Sequence, residues 1–190
     1  MSFFKQPNLE VMLTRAQIDA RVAELGAAIT KEYGVVVGGG SSSSSGVDEL
    51  VCVGILKGSF VFLADLVRTI DLPVVVDFIG LSSYGDATES SGVVQLTQDL
   101  SRPIAGKHVL IVEDIIDTGL TMRYLLENLR TRGPASLKLA SLLEKPARNQ
   151  SGVKADFLGF SIEDKFVVGY GLDFKSQYRN LPFVGVIHGA

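Results

Sequence analysis

Short, continuous apolar runs alternate along this chain with segments whose apolar residues recur at helical spacing, and that alternation leaves few folds open. Residues 50–56, 74–79, 109–112 and 137–143 are runs of Val, Ile and Leu with hardly a polar interruption, the pattern of strands covered on both faces. Between them, Phe62, Leu63, Leu66, Val67 and Ile70 mark a helix over 60–70, and Met122, Leu125, Leu126 and Leu129 mark one over 121–130 that stops at Gly133-Pro134. Shorter strands are expected at 93–96, 166–168 and 183–187. Strands that alternate with helices in this way imply an α/β fold with a mainly parallel central sheet flanked by helices.

Ahead of this body, Thr14-Arg15-Ala16-Gln17 is a capping-box pattern. Ile18, Val22, Leu25 and Ile29 follow at helical spacing, and Gly34 is expected to end the helix. The tract 38–46 is Gly and Ser only, without side chains to build a core, and reads as a surface loop insertion rather than a boundary. A chain of 190 residues therefore reads as a single domain over 1–190, large enough to need no disulfide or metal staple.

Composition excludes several classes of function. With 18 Lys and Arg against 21 Asp and Glu, the chain lacks the basic excess of a general nucleic-acid binder, so no nucleic-acid partner is expected. The lone Cys52, inside an apolar run, and the two histidines, His108 and His188, leave little for a disulfide framework, a cysteine zinc site or a Ser-His-Asp triad. No run approaches the ~18 apolar residues of a membrane span, and the N-terminal stretch has no apolar core of the secretory kind. No membrane partner and a cytoplasmic location are expected.

In parallel sheets, ligands gather beyond the carboxyl ends of strands, and there the sequence is most informative. The run 109–112 leads into Glu113-Asp114, then Ile115-Ile116, then Asp117-Thr118-Gly119-Leu120-Thr121 at the start of a helix. Unpaired N–H groups at a helix N-terminus form a phosphate cradle. Thr118 and Thr121 add hydroxyl donors, and Gly119 removes the side chain that would block approach. No Gly-Lys-Ser/Thr follows, so this is not a nucleoside-triphosphatase loop. Acids beside a phosphate cradle make sense if the ligand also carries a ribose diol, which Glu113 and Asp114 can accept from, or Mg²⁺. Together they suggest a sugar phosphate.

This segment resembles the phosphoribosyl-pyrophosphate motif of the type I phosphoribosyltransferases, and most closely that of their hypoxanthine-guanine (6-oxopurine) branch. The resemblance runs from about Thr14 to Ile187, omitting the Gly/Ser tract. It implies the type I phosphoribosyltransferase fold, with a small hood built from N- and C-terminal segments. Leu56-Lys57-Gly58 resembles the pyrophosphate loop, where a strained and often cis peptide offers N–H groups to the diphosphate. Residues 82–92, with Ser83 and Tyr84, resemble the mobile loop that closes over pyrophosphate. Lys145 matches the lysine that donates to the purine 6-oxo group. Phe166 and Val167 match the base pocket, with the ring stacking and the next backbone reading the base edge. Asp173 matches a residue near the purine and a second Mg²⁺ site, and Arg179 the arginine on pyrophosphate. Taken alone, Lys57 and Lys145 would pass as solvated lysines, Phe166 as core, and Asp173 with Arg179 as a surface ion pair.

The resemblance also implies Mg²⁺ as cofactor, held by Glu113, Asp114 and Asp173. Phosphoribosyl pyrophosphate and a 6-oxopurine base are the implied substrates, and a homodimer or homotetramer the implied assembly. Glu113, Asp114, Thr118, Gly119, Leu120 and Thr121 would bind the ribose and 5′-phosphate, and Asp117 would act as general base. Leu120 departs from the basic or polar residue many relatives carry there. The alternative is a phosphoribosyltransferase-fold RNA-binding attenuator of pyrimidine operons, which would keep the 113–121 motif but need a basic face and have no use for Lys145.

Overall fold

The computed structural model describes residues 8–37, 49–83 and 94–189. At its centre, β2 (Leu50–Leu56), β3 (Val74–Ser83), β5 (His108–Ile116), β6 (Ser136–Glu144) and β7 (Phe157–Ser161) run parallel, and β4 (Val94–Gln98) returns antiparallel along β3. Spatial order is β4-β3-β2-β5-β6-β7. A second, three-stranded sheet joins β1 (Leu9–Leu13), β9 (Val184–Ile187) and β8 (Val167–Val168) in that order. It unites the two ends of the chain as the hood.

Period-two alternation explains why the central runs look continuously apolar. In β2, Leu50 and Cys52 face a core shared with α1 (Arg15–Val37) and α2 (Phe60–Val67), through Ile18, Val22, Leu25, Leu63 and Leu66. Val51, Val53 and Ile55 face the opposite core, filled by Met122, Leu125, Leu126 and Leu129 of α3 (Leu120–Arg130). Burial pushes the Cys52 thiol up to about 12, so it packs as an inert apolar group.

The capping box of α1 forms as expected: the Thr14 N–H donates to Gln17 Oε1 at 2.9 Å, and the Gln17 N–H donates to Thr14 Oγ1 at 3.3 Å. The helix does not end at Gly34 but continues to Val37, because a helical Gly costs only about 1 kcal/mol. In contrast α2 ends at Val67, short of Ile70. The Thr69 hydroxyl donates to the Leu66 carbonyl at 2.7 Å and the Thr69 N–H donates to it at 2.9 Å, turning the chain. Two strands, β1 and β7, were not anticipated. Among the described residues no helix is long and apolar enough to cross a membrane. The Gly/Ser tract 38–46 lies outside the described residues.

Candidate active site

The chain steps outward from β2 to β3 on one side and resumes at β5 on the other, so the β2/β5 boundary is the topological switch point where such sheets bind ligands. Two loops open there, one after Leu56 and one after Ile116. Between them, β5 carries Glu113 and Asp114 to the sheet's carboxyl edge. Strand alternation splits this pair. Glu113 follows Val109 and Ile111 toward α3 and lines a cavity of about 150 Å³ with Asp117, Thr118, Gly119 and Thr121. Asp114 follows Leu110 and Val112 to the other face, where its Oδ2 lies against Gly58.

Both carboxyls are held above the usual range. For Glu113 the cause is burial, then the neighbouring charge of Asp114. For Asp114 it is burial, partly offset by backbone N–H donors and by Arg179, with Asp173 adding to the rise. Glu113 Oε2 is buried with no hydrogen-bond partner among the described residues. An orphaned acceptor of this kind fits a ligand that brings donors or a cation.

The loop 117–119 is stitched down from outside. The Thr118 carbonyl accepts N–H bonds from Gln150 at 3.0 Å and Ser151 at 3.2 Å, and the Ile116 carbonyl accepts from Lys145 N–H at 2.9 Å. Gly119 has φ of 75°, and a Cβ there would lie 2.1 Å from Ser151 Oγ. Only glycine suits both the conformation and the approach. Gly119 at the N-cap of α3 brings no side-chain hydrogen bond, the Leu120 N–H donates only a long bond, 3.5 Å, to Thr118 Oγ1, and the helix starts at the cavity that Thr118, Gly119 and Thr121 line. Leu120 is among the exposed large apolar side chains, so its departure from the basic or polar type leaves the backbone contact possible.

Across the switch point, the Leu56–Lys57 peptide is cis, as the resemblance implied. Gly58 sits between Asp114 and Gly171: a Cβ on Gly58 would lie 1.6 Å from Asp114 Oδ2, and one on Gly171 2.0 Å from the Gly58 carbonyl oxygen. Arg179 Nη1 donates to the Gly171 carbonyl at 2.6 Å, and its Nη2 pairs with Asp173 Oδ1 at 2.5 Å. Gly58, Asp114, Asp173 and Arg179 thus form one cluster of mixed charge, and the exposed Lys57 precedes Gly58 at its edge.

A third group lies at the end of β6. Lys145 is buried, 7% exposed, with its ammonium 3.2 Å from Asp164 Oδ1. Arg148, on the turn that follows, places Nε 2.5 Å from Asp117 Oδ1 and Nη1 3.6 Å from Asp164 Oδ2. Two residues beyond Asp164, Phe166 is not core: it is 47% exposed and meets Phe174 edge to face, with centroids 5.4 Å apart. Val167 is buried in β8, which begins there and not at Phe166. An exposed ring at the start of a strand offers a stacking surface.

Sequence reasoning passed over Arg148, Asp164 and Phe174. The signal for Arg148 was its place three residues after Lys145, on the same turn, where the Arg148 N–H donates to the Lys145 carbonyl at 3.0 Å. Ser83 is the last residue of β3, while Tyr84 and the rest of the expected mobile loop, 84–92, lie outside the described residues.

Comparison with known proteins gives one consistent result. The model of the phosphoribosyl transferase domain family matches residues 41–175. The chain is 45% identical over 183 residues to a hypoxanthine phosphoribosyltransferase of Haemophilus influenzae, covering 96% of this chain and 97% of the relative. It is 43% identical over 181 residues to a hypoxanthine-guanine phosphoribosyltransferase of Bacillus subtilis, covering 95% and 94%. The crystal structure of a hypoxanthine phosphoribosyltransferase from Staphylococcus aureus superposes with a TM-score of 0.84 at 44% identity, covering 94% of this chain and 91% of that one.

Proposed function

The chain belongs to the phosphoribosyl transferase domain family, and from that premise we propose that it is a purine-salvage enzyme. It transfers the 5-phosphoribosyl group of phosphoribosyl pyrophosphate to N9 of hypoxanthine or guanine, giving IMP or GMP and pyrophosphate. What carries this choice of base is the buried Lys145 ammonium, tied through Asp164 and Arg148 to Asp117 at the mouth of the sugar-phosphate loop. A desolvated ammonium donates to a 6-oxo group and repels the 6-amino group of adenine. Phe166 offers its exposed ring to the base, and backbone near Val167 and Asp173 reads its edge.

The 5′-phosphate sits on the N–H groups of Gly119, Leu120 and Thr121 with the Thr118 and Thr121 hydroxyls, and the ribose diol donates to Glu113. In the reaction the C1–O bond to pyrophosphate breaks, its electron pair leaving with the diphosphate, as the N9 lone pair forms the new bond at C1 with inversion. Positive charge grows on the sugar and negative charge on the leaving group, which Lys57, Arg179 and the N–H groups of the Lys57–Gly58 loop stabilise. The purine N7 proton passes to Asp117.

The donor chemistry fits Mg²⁺. Among the described residues no group of three or more His, Cys, Asp and Glu side chains converges, yet Mg²⁺ commonly takes one or two carboxylates and completes its shell with substrate phosphates and water. Asp114 and Asp173 beside the pyrophosphate loop, with Glu113 on the ribose side, are the residues proposed to hold it. When bound, the ion supplies charge neutralisation of the diphosphate.

A cytoplasmic homo-oligomer, dimer or tetramer, completes the reading. The lone buried Cys52 suits a reducing compartment, and Phe60, Val76 and Tyr124 are exposed apolar side chains that a second copy could cover. The pyrimidine-operon attenuator is set aside, because the relatives are named for transfer to hypoxanthine and guanine and the chain is acidic. Asp117→Asn tests the mechanism: turnover is expected to fall by about 10²-fold or more with substrate KM nearly unchanged. Near-normal turnover would remove Asp117 from the role.

A further inference from the structure

The two groups assigned to the purine are both paired with other side chains in the structure. Lys145 Nζ is 3.2 Å from Asp164 Oδ1, and Asp117 Oδ1 is 2.5 Å from Arg148 Nε. Arg148 stands between the two acids, with Nη1 3.6 Å from Asp164 Oδ2, beyond hydrogen-bond reach but close enough that a small rotation closes it. Asp164 offers separate oxygens to Lys145 and Arg148, so one cation can take it over as the other leaves. The turn carrying both cations is pinned to the sugar-phosphate loop by the Lys145 N–H to the Ile116 carbonyl and by the Gln150 and Ser151 N–H groups to the Thr118 carbonyl. Side-chain rotation, not backbone movement, is therefore the free variable. The Arg148, Asp117 and Asp164 side chains are all about half exposed, where exchange of one ion pair for another is nearly balanced in free energy.

We propose that Arg148 is a positioning residue that exchanges Asp117 for Asp164 when the purine enters. Moving onto Asp164, the guanidinium frees the Asp117 carboxylate to face N7 and takes over the acid that holds Lys145, freeing the ammonium for the 6-oxo group. One rotation readies both ends of base recognition, and the two charges it frees, Asp117 and Lys145, are taken up by hydrogen bonds with the purine. The exchange rests on the reading of Lys145 and Asp117 as the groups that meet the purine, and it goes beyond that reading by coupling them.

The coupling makes a directional prediction. In Arg148→Ala no cation competes for Asp164, so Lys145 stays on it and the purine KM rises, by about tenfold if one charge-assisted hydrogen bond to the base is lost. Removing the competing acid as well, in Arg148→Ala/Asp164→Asn, frees Lys145 and returns the purine KM to within about threefold of wild type, a strong non-additivity of the two sites. Arg148→Lys keeps a cation and preserves most of the effect. The KM for phosphoribosyl pyrophosphate should not follow these changes.

The experiment is steady-state kinetics with hypoxanthine on wild type, Arg148→Ala, Arg148→Lys, the double variant and Lys145→Ala, with thermal melting of each to show that it folds. Rescue of purine KM in the double variant supports the exchange. A double variant as impaired as Arg148→Ala, or more so, overturns it, as does a loss in Arg148→Ala that falls equally on both substrates. Lys145→Ala separates the two levels: unchanged purine KM there overturns the reading of Lys145 itself, whereas raised KM without rescue by Asp164→Asn overturns only the exchange.

Discussion

Replacing Gly171 by Ala perturbs the pyrophosphate loop from behind, at a residue not itself assigned to substrate. The added Cβ would stand 2.0 Å from the Gly58 carbonyl oxygen, and real Cβ atoms essentially never approach closer than 3.0 Å. The two backbones must therefore separate by about 1 Å, a misplacement that at a reacting centre costs on the order of 10²-fold. Gly171 also has φ of 103°, so alanine adds about 1–3 kcal/mol of backbone strain. Relief has one easy direction. Gly171 is fastened on its other side by its N–H to the Arg179 carbonyl at 3.0 Å and by Arg179 Nη1 on its own carbonyl at 2.6 Å, so Lys57–Gly58 should move. The expected outcome is a fall of about 10²-fold in kcat/KM for phosphoribosyl pyrophosphate. Inhibition by IMP, which carries the 5′-phosphate and base but no diphosphate, should change by less than about threefold. Melting curves establish that the variant is folded. Wild-type kcat/KM, or equal loss for phosphoribosyl pyrophosphate and IMP, would refute the assignment of this loop to the diphosphate.

Two more predictions follow from the same residues. Glu113 and Asp114 have folded-state pKa values raised by burial, so their contribution to stability is fully present below the ordinary carboxylate range of about 4 and is lost as pH rises through the folded values. Glu113→Gln should therefore melt higher than wild type at pH 7, by about 2–4 °C if roughly 1 kcal/mol is recovered, with the difference shrinking toward pH 4, and it should bind phosphoribosyl pyrophosphate more weakly. A variant that melts lower at pH 7 would contradict the account of that carboxyl. Phe166→Ala removes the exposed ring over the base site, and the purine KM should rise by about tenfold or more for the roughly 1–3 kcal/mol of aromatic stacking lost, while melting temperature, set by buried side chains, changes little; an unaltered KM would move the base elsewhere.

Much of this was legible because buried parallel strands must be apolar on both faces, which made residues 50–56 and 109–112 plain. The strands that escaped have physical reasons. β7 contains Gly159, which reads as a break, yet a Cβ there would lie 2.3 Å from the Leu142 carbonyl oxygen; the glycine that hides the strand is what lets it pack against β6. β1 is only five residues long and none of them is fully buried, and its partner β9 enters at the far end of the chain. At the site, the 113–121 segment was visible because its residues are contiguous. Arg148 was not, since its tie to Asp117 spans 31 positions and depends on a rotamer. The split of Glu113 and Asp114 onto opposite faces was available from strand alternation, once β5 was seen to run on to Ile116.

The most direct test is turnover of phosphoribosyl pyrophosphate and Mg²⁺ with hypoxanthine, guanine, xanthine, adenine and uracil in parallel, followed by absorbance of the mononucleotide. Formation of IMP or GMP, with adenine and uracil inert, is the predicted result. Turnover of uracil, or silence with every base, would contradict the assignment of Lys145 and Asp117 to a 6-oxopurine.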